Sequence, residues 1–360
     1  MANLNIKFSK YNSDFIKELR ARVNEYFEKR RISKDGNSKI MIKSVVMLTI
    51  YLAPLALMLS QVITSDFGIV ASWLIMGVGM ASVGMVLMHD ANHGSYSQSS
   101  KTNKFLSKSL YLLGGFPPNW RFQHNTLHHG YTNVDGADED IAPFTILRFS
   151  PHKPLYKIHR FQYLYAWFFY CLLTVSWVTG KDFNRLFKYK RVNAVLSRKN
   201  NFTLLLFDLI ISKLLYYVFF LVLPIIVLPI AWYWTVLLFL GMHFVGGLIL
   251  CIIFQSAHVM PSSEYPLPDE KGDMDNNWAV HQLLTTSDFA PNSKIFSWFI
   301  GGLNYQIEHH LFPNISHVHY HRISHIVKKT ALKYQLPYNV QPNFFAAIRS
   351  HTKMLKSLGK

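Results

Sequence analysis

Charged residues are scarce in this chain of 360 residues: 16% are Asp, Glu, Lys or Arg, against about 25% in a typical soluble domain. Cysteine is scarcer still, with two residues, and this excludes a disulfide-stapled secreted scaffold. Half of the residues are hydrophobic, which excludes intrinsic disorder. Acidic residues number 20 against 37 Lys and Arg, so the formal net charge is +17. Such an excess fits nucleic acid or a membrane surface, and the positions of the charges decide between them.

Two long stretches of the N-terminal half carry no charged residue. They are residues 44–65 and 67–88, and Asp66 separates them. Each can cross about 30 Å of hydrocarbon as a helix of about 20 residues, and uncharged runs of this length are unusual in soluble cores. The segment before them is polar and basic and lacks the apolar core of a secretory signal peptide. We therefore predict a membrane hairpin whose tip lies near Asp66.

A second hairpin is predicted in the C-terminal half. Residues 214–263 carry no formal charge, and Pro224 and Pro229 interrupt this stretch, which is too long for one crossing. The predicted membrane helices are residues 42–64, 67–88, 205–227 and 231–255.

Basic residues indicate how these helices are oriented. Both hairpin tips lack Lys and Arg, which concentrate in the N-terminal segment 1–41, the middle segment 89–204 and the tail 256–360. Basic loops favour the cytoplasmic side, so both termini and the middle segment are predicted there. We expect one membrane domain over residues 1–360, with 89–204 and 256–360 forming a cytosolic cap. The positive charge then needs no nucleic acid partner.

Residues 161–180 are also uncharged and compete for a fifth crossing. This stretch is rich in Phe, Tyr and Trp, a composition typical of a helix that lies among the lipid headgroups. A fifth crossing would also leave His258, His309 and His310 about 30 Å from the other clustered histidines, across the bilayer. We predict an interfacial helix.

The chain contains 17 histidines, and eight of them, which stand in three short motifs or directly after the last predicted span, are candidate metal ligands. His89 and His93 are spaced i, i+4, which places two imidazoles on one helix face. The others occur in HNTLHH, in QIEHH and alone after the last span. The eight candidate ligands are His89, His93, His124, His128, His129, His258, His309 and His310.

With four crossings, all eight histidines lie on one membrane face. Imidazole ligands suit iron, zinc, copper or nickel better than calcium or magnesium. Eight ligands exceed the four of a tetrahedral zinc site, so a dinuclear centre is the economical interpretation. Nearby acids would orient the rings, although the acidic run at 135–140 fits a solvated loop equally well. The candidate acids are Asp90, Glu308, Asp135, Asp138, Glu139 and Asp140.

The strings HDANH, HNTLHH and QIEHH resemble, in order and spacing, the three histidine boxes of the membrane fatty-acid desaturase family. QIEHH, with Gln306 where many relatives have His, resembles the front-end and acyl-lipid branch. The resemblance implies an all-α integral membrane protein, with four transmembrane helices in two hairpins and a cytosolic helical cap with interfacial helices. It also implies two iron ions held by the eight histidines, O₂ as co-substrate, external electrons and a cis double bond as the product.

Four further residues border these boxes. Gln306 is a weak ligand or lines the site, and His281 in WAVHQLLTT is an additional candidate ligand. Trp120 and Tyr305 are the candidate substrate contacts, in a narrow apolar tunnel between the cap and the helix ends. The later cluster of His317, His319, His321 and His325 is assigned to surface or hydrogen-bonding roles. His243 lies within a span, either as a functional group or as a neutral ring bonded to a neighbouring helix.

The partners follow from the same resemblance. The HPGG string of a fused cytochrome b5 domain does not occur, so we expect a separate electron donor, a ferredoxin or a cytochrome b5-like protein with its reductase. The fatty acyl substrate is linked to a lipid, CoA or a carrier protein. A hydroxylase, an acetylenase or a sphingolipid desaturase would have the same motifs. A membrane metal transporter is the alternative outside this class, but the predicted spans lack a polar path across the bilayer.

Overall fold

A computed structural model describes residues 6–11, 13–142, 145–192, 194, 196 and 201–360. Positions 1–5 and 12 of the predicted N-terminal segment, and 143–144, 193, 195 and 197–200 of the predicted cap, lie outside the described residues. The described chain is mostly helical and has almost no sheet, as predicted. Four of its helices are long and apolar enough to cross a membrane. They are Ser38–Leu59, Asp66–His93, Phe202–Val227 and Trp232–His258.

Three of these spans begin at hydrogen-bonding caps rather than at the edges of the uncharged stretches, whereas Ala231, before the fourth span, provides no side-chain cap. The side chains of Asn37, Ser65 and Asn201 accept bonds from the backbone N–H groups of the first helical turns. The first and third spans therefore start four and three residues before the predicted 42 and 205. The second and fourth continue past the predicted ends at 88 and 255, to His93 and His258. Their last turns carry the candidate ligands.

The cap consists of short helices. The α-helices are Ser13–Arg30, Ser100–Leu106, Pro117–Arg121, Gln162–Cys171, Leu173–Ser176, Asp182–Arg191, Trp278–Thr285, Lys294–Phe299, Gln306–Leu311, Tyr320–Lys333 and Phe344–Leu358. The 3₁₀-helices are Ser107–Leu113, Lys157–Phe161 and His317–His319. The π-helices are Gly84–Met88, Phe122–His128, Trp177–Lys181 and Val218–Val222, of which the first and last lie within spans.

Two short parallel strand pairs connect distant parts of the cap. Lys7–Phe8 pairs with Asp273–Met274, and Asp288–Phe289 pairs with Val340–Gln341. The second pair places the segment before QIEHH against the C-terminal part of the chain. The N-terminal helix Ser13–Arg30 buries Phe15, Leu19, Val23 and Phe27 in a hydrophobic core that also contains Ile307 and Leu311 of the QIEHH helix.

The second and fourth spans pack closely, and this brings their histidine-bearing ends together. A side chain at Gly77 would place its Cβ 2.6 Å from the carbonyl oxygen of Met242, so only glycine permits this approach. Small residues at such contacts are typical of membrane helices. Beyond this contact the two helices continue to His89 and His258, and the rings of both residues contact other histidines.

The aromatic stretch forms a bent helix pair, Lys157–Cys171 and Leu173–Arg191, with an angle of 54° between its halves. The chain passes through the histidine cluster at His129 and returns to it at His258, so an even number of crossings separates these two residues. The third and fourth spans supply two. The bent pair therefore enters and leaves on the same face, which agrees with the four-crossing prediction.

Two charged residues in the third span have specific partners. The Lys213 ammonium is buried and lies 2.6 Å from Oδ2 of Asp182 in the bent pair, and it also donates to the carbonyl oxygens of Gly114 and Trp177. Asp208 accepts a 2.6 Å bond from the Tyr111 hydroxyl. Both charges join the third span to the cap, which explains how the span tolerates them.

Candidate metal centre

All eight predicted histidines lie in one cluster. Seven of the rings are buried and His93 is partly buried. Centroid distances between neighbouring rings run from 4.3 Å, for His129 and His310, to 5.9 Å, for His124 and His309. Side chains from two spans and two cap helices thus form one cluster.

The ring nitrogens divide into two main groups that are able to hold a metal ion. Within each group the ligand atoms lie within 4.8 Å of one another. His129 joins the two, because its ligand atom groups with those of His309 and His310. The first group is His89, His93, His124 and His309, and the second is His128, His258 and His310. This geometry matches a dinuclear arrangement better than one tetrahedral site.

Two π-helical turns produce this convergence. Gly84–Met88 is a π-turn directly before HDANH, and Phe122–His128 is another that contains most of HNTLHH. The His129 N–H donates to the His124 carbonyl oxygen at 3.0 Å, an i to i+5 bond. This turn brings His129 edge-on to His124, with an angle of 80° between the rings and 3.2 Å between their Nε2 atoms. π-turns inside helices are frequent at functional sites.

The buried donor atoms of the cluster fit a metal. Seven of the eight histidines have a buried ring nitrogen without a hydrogen-bond partner among the described residues. Buried polar atoms are normally paired, so this concentration of unpaired nitrogens needs an explanation. A metal ion provides it, because each nitrogen is a potential ligand. These atoms are Nδ1 of His89 and His129 and Nε2 of His93, His128, His258, His309 and His310.

Burial keeps four of these rings in the neutral form that binds metal. Desolvation, together with the neighbouring imidazoles, lowers the pKa of His124, His129 and His309 well below the ordinary value. His310 behaves in the same way. These rings are neutral at physiological pH, and neutral imidazole is the ligand.

Several rings are oriented by a partner on Nδ1, which leaves Nε2 for the metal. His128 Nδ1 lies 3.0 Å from Asp138 Oδ2, and His258 Nδ1 donates to the Thr285 carbonyl oxygen at 3.3 Å. These contacts select the tautomer. Two more pairs follow the same pattern: His309 with the Tyr320 hydroxyl at 3.1 Å, and His310 with Gln282 Oε1 at 2.8 Å.

The other predicted acids differ in their contacts. Asp140 lies beside the cluster, with a carboxylate oxygen within 4.8 Å of ligand atoms of His124 and His128, and Gln123 donates to it. Glu139 pairs instead with Arg185 and with Lys188, at 2.7 Å. Asp135 forms an ion pair with Lys153 at 2.9 Å. Only part of the acidic run therefore faces the histidines.

Asp90 and Glu308, the acids inside the boxes, have unexpected partners. Asp90 Oδ2 accepts bonds from the Ser316 hydroxyl and from the backbone N–H and Nδ1 of His317, while its Oδ1 lies 3.8 Å from His89 Nδ1. Glu308 accepts a bond from the Tyr338 hydroxyl, which also donates to Asp288. Burial and the Asp288 charge raise the pKa of Glu308 well above its ordinary value. Glu308 thus anchors the QIEHH helix.

His281 lies outside the groups of potential metal ligands, whereas Gln306 lies in the wall of a cavity beside them. Nε2 of His281 donates to the Thr132 carbonyl oxygen at 2.8 Å, and the ring is absent from the four groups of potential ligands in the described residues. Its neighbour Gln282 is the residue that contacts His310. Gln306 lines the histidine-bearing cavity, beside His258, and donates to the Leu303 carbonyl oxygen.

A mainly apolar cavity of about 280 Å³ adjoins the histidines. His89, His124 and His309 line one part of it. Its walls include the side chains Met85, Phe169, Tyr170, Leu173, Trp177 and Phe254. Lys181 and Arg185 add a polar part, beside Glu139 and Asp140. The bent helix pair thus supplies both wall and polar residues, in line with the predicted tunnel.

The two predicted substrate contacts lie apart. Trp120 lines the cavity and stacks on His124, with 4.3 Å between ring centroids. Tyr305 lines a different cavity, and its hydroxyl donates to the Pro291 carbonyl oxygen and contacts His321 Nδ1. Tyr305 is therefore separated from the histidine-lined cavity.

The remaining histidines have structural partners. His243 bridges helices through the hydroxyls of Tyr216 and Thr174, each 3.0 Å from a ring nitrogen, which is the structural alternative predicted for it. His317 and His319 are buried and hydrogen-bonded rather than on the surface.

Comparison with known proteins now decides the family. Residues 67–342, more than half of the chain, match the fatty acid desaturase family. This chain belongs to that family. The desaturase is therefore an oxidoreductase that introduces a double bond into a fatty acyl chain, and it is an integral membrane protein with a histidine cluster able to hold metal.

Curated relatives resemble the desaturase over nearly its whole length. The sn-1 linoleoyl-lipid 6-desaturase of Arthrospira platensis is 32% identical over 96% of this chain and 92% of the relative. The enzyme of the same name from Synechocystis is 32% identical over 99% and 98%. The acyl-lipid (8-3)-desaturase of Physcomitrium patens is 35% identical over 97% of this chain and 72% of the relative.

Proposed function

We propose that this desaturase acts on fatty acyl chains of membrane lipids, with two iron ions held by His89, His93, His124, His128, His129, His258, His309 and His310. The unpaired ring nitrogens of the two histidine groups are the observation that carries the proposal. Imidazole-rich ligand sets suit iron. The names of the relatives support a lipid-linked acyl chain as the substrate.

An unactivated methylene offers no group for acid–base catalysis, so bound iron with O₂ would supply the oxidising power. The overall reaction removes two hydrogens from adjacent methylenes. With two electrons and two protons from outside, it reduces O₂ to two water molecules. We propose that a separate ferredoxin or cytochrome b5-like protein supplies the electrons. It would bind on the cytoplasmic side, because the basic segments favour that side as the position of the cap.

The side chains of the cavity would position the substrate. Apolar walls such as Met85, Leu173 and Phe254 favour an alkyl chain, at about 0.8 kcal/mol for each buried CH₂ group. Phe254 also packs on His128 and His258, with centroids 4.8 and 5.1 Å away, and excludes water from them. The chain position that reaches His89, His124 and His309 would determine where the double bond forms.

Expression in a host that lacks the products, with a donor system present, tests this function. We expect new unsaturated acyl chains in extracted lipids, a defined double-bond position by mass spectrometry, and about two irons per purified chain. Hydroxylated or acetylenic products would assign the chemistry to the alternative outcomes of the same scaffold. A loosely exchanging zinc site with metal flux and no new acyl product would contradict the proposal and support a transporter.

A further inference from the structure

A second cavity, of about 490 Å³, lies at the start of the first span and shares no lining residue with the acyl cavity. Its lining is basic and aromatic, and no carboxylate contributes to it among the residues that the structure describes. It lies on the membrane face of the metal centre, because the first span begins where the second ends. The lining residues that matter here are Lys39, Lys43, Lys294, Ser297, Trp298 and His321.

Lys43 is the most deeply buried cation of this cavity, with 6% of its surface exposed. Its ammonium lies 2.8 Å from Nε2 of His317 and 5.8 Å from the centre of the Trp298 ring. Within the described chain it forms no ion pair with a carboxylate; the nearest one in this network, Asp90, is on the far side of His317. A buried charge without a counterion is unfavourable, so the cavity is suited to an anion.

Further polar groups favour an anion with several oxygens. Lys39 and Lys294 are exposed and lie at the cavity from two different helices. Ser297 adds a buried hydroxyl without a hydrogen-bond partner among the described residues. A phosphate group has both the charge and the acceptor oxygens to match these donors.

The surroundings of the cavity are apolar and exposed. Met41, Ile42 and Val45 on the first span are between 61% and 64% exposed, and Ile295 on the helix Lys294–Phe299 is 75% exposed. In a bilayer these side chains face acyl chains, while lysines at a helix end reach the headgroup level. We propose that this cavity binds the phosphate of one anionic phospholipid, whose acyl chains cover the exposed apolar side chains.

The bound phosphate would stabilise a series of side-chain contacts that connects this cavity to the metal centre. Lys43 contacts His317, His317 donates to Asp90, and Asp90 faces His89. A lipid that holds Lys43 in place orders this chain of contacts and the first histidine box with it. Because the ligand binds the folded state, it raises the melting temperature. Lipid occupancy is independent of turnover, so a failure here is distinguishable from a failure of the proposed acyl chemistry.

The test uses the purified full-length protein with vesicle-derived phosphatidylglycerol or phosphatidylcholine, and measures retained lipid by native mass spectrometry and melting temperature. The variant Lys39→Gln/Lys294→Gln removes two exposed lysines of the cavity without changing its buried part. At about 1 kcal/mol per lysine, phosphatidylglycerol binding weakens roughly thirty-fold. The matched control, Lys101→Gln/Lys104→Gln, changes two exposed lysines elsewhere on the cap and leaves binding unchanged.

Four results would overturn the proposal. If the control variant lost as much phosphatidylglycerol binding, the effect would come from the overall charge of the protein and not from the cavity. If phosphatidylcholine bound equally well, the negative charge of the lipid would not be recognised. Inorganic phosphate that stabilises the protein as well as the lipid does would assign the cavity to a soluble anion. A cavity variant that keeps its lipid but binds an acidic ferredoxin more weakly would make this surface a protein-docking site.

Discussion

His128 and Asp138 form a completely buried pair, with Nδ1 of the ring 3.0 Å from Oδ2 of the carboxylate. The carboxylate also accepts the backbone N–H groups of Asn133 and Asp140, so its own position is fixed. This contact makes Nδ1 the protonated nitrogen and directs Nε2, which has no partner among the described residues, into the second ligand group. Outer partners of this kind raise ligand basicity.

Asp138→Asn is therefore expected to weaken metal binding by about 10- to 100-fold while the protein still folds, because the amide keeps the shape but loses the charge. Iron content is measured after dialysis against graded chelator. Asp135→Asn, in the same loop but paired with Lys153, is the control and retains its metal. If the two variants retained equal amounts of iron, Asp138 would not contribute to metal binding by His128.

His310 and His281 differ in what their substitution removes, although both are buried. His310→Ala deletes a member of the second ligand group, so about one iron per chain and all product formation are expected to be lost. His281→Ala deletes no member of a ligand group; it removes the bond to the Thr132 carbonyl oxygen and the ring contact with Phe8, and losing the bond costs about 1–3 kcal/mol of stability. The His281 variant keeps both irons when purified at low temperature. Loss of iron in a folded His281 variant would restore it as a ligand.

The sequence predicted the four crossings and the convergence of the eight histidines, because uncharged length and helical spacing are local properties. It did not predict the π-turns at Gly84–Met88 and Phe122–His128, since no composition signal marks the insertion of one residue into a turn. The partners of Asp90 and Glu308 were also missed. His317 and Tyr338 reach these acids from far along the chain, and only tertiary packing brings them together. Gln282, adjacent to the candidate His281, was overlooked because it lies outside the three histidine boxes.

Leu173 lines the acyl cavity from the bent helix pair, and a larger side chain there shortens the space for substrate. Leu173→Trp is expected to lower product formation about ten-fold and to favour shorter chains, with iron content unchanged, because overpacking affects the cavity and not the ligands. Gas chromatography of extracted acyl chains measures both effects. Leu164→Trp makes the same change at a position that is 62% exposed and leaves the product profile intact. An unchanged profile in Leu173→Trp would place the acyl chain elsewhere.

Lys213 and Asp182 join the third span to the bent helix pair, with 2.6 Å between the ammonium and the carboxylate. Lys213→Met leaves a buried carboxylate without its cation, which costs about 3–5 kcal/mol of stability. The double variant Lys213→Met/Asp182→Asn removes both charges and recovers most of that loss. Melting temperatures in detergent, followed by size-exclusion chromatography, measure the difference between single and double variants. Because Trp177 and Lys181 of the same pair line the acyl cavity, the single variant also loses activity before it loses iron. Equal melting temperatures for the wild-type protein and Lys213→Met would show that this pair does not hold the bent helices in place.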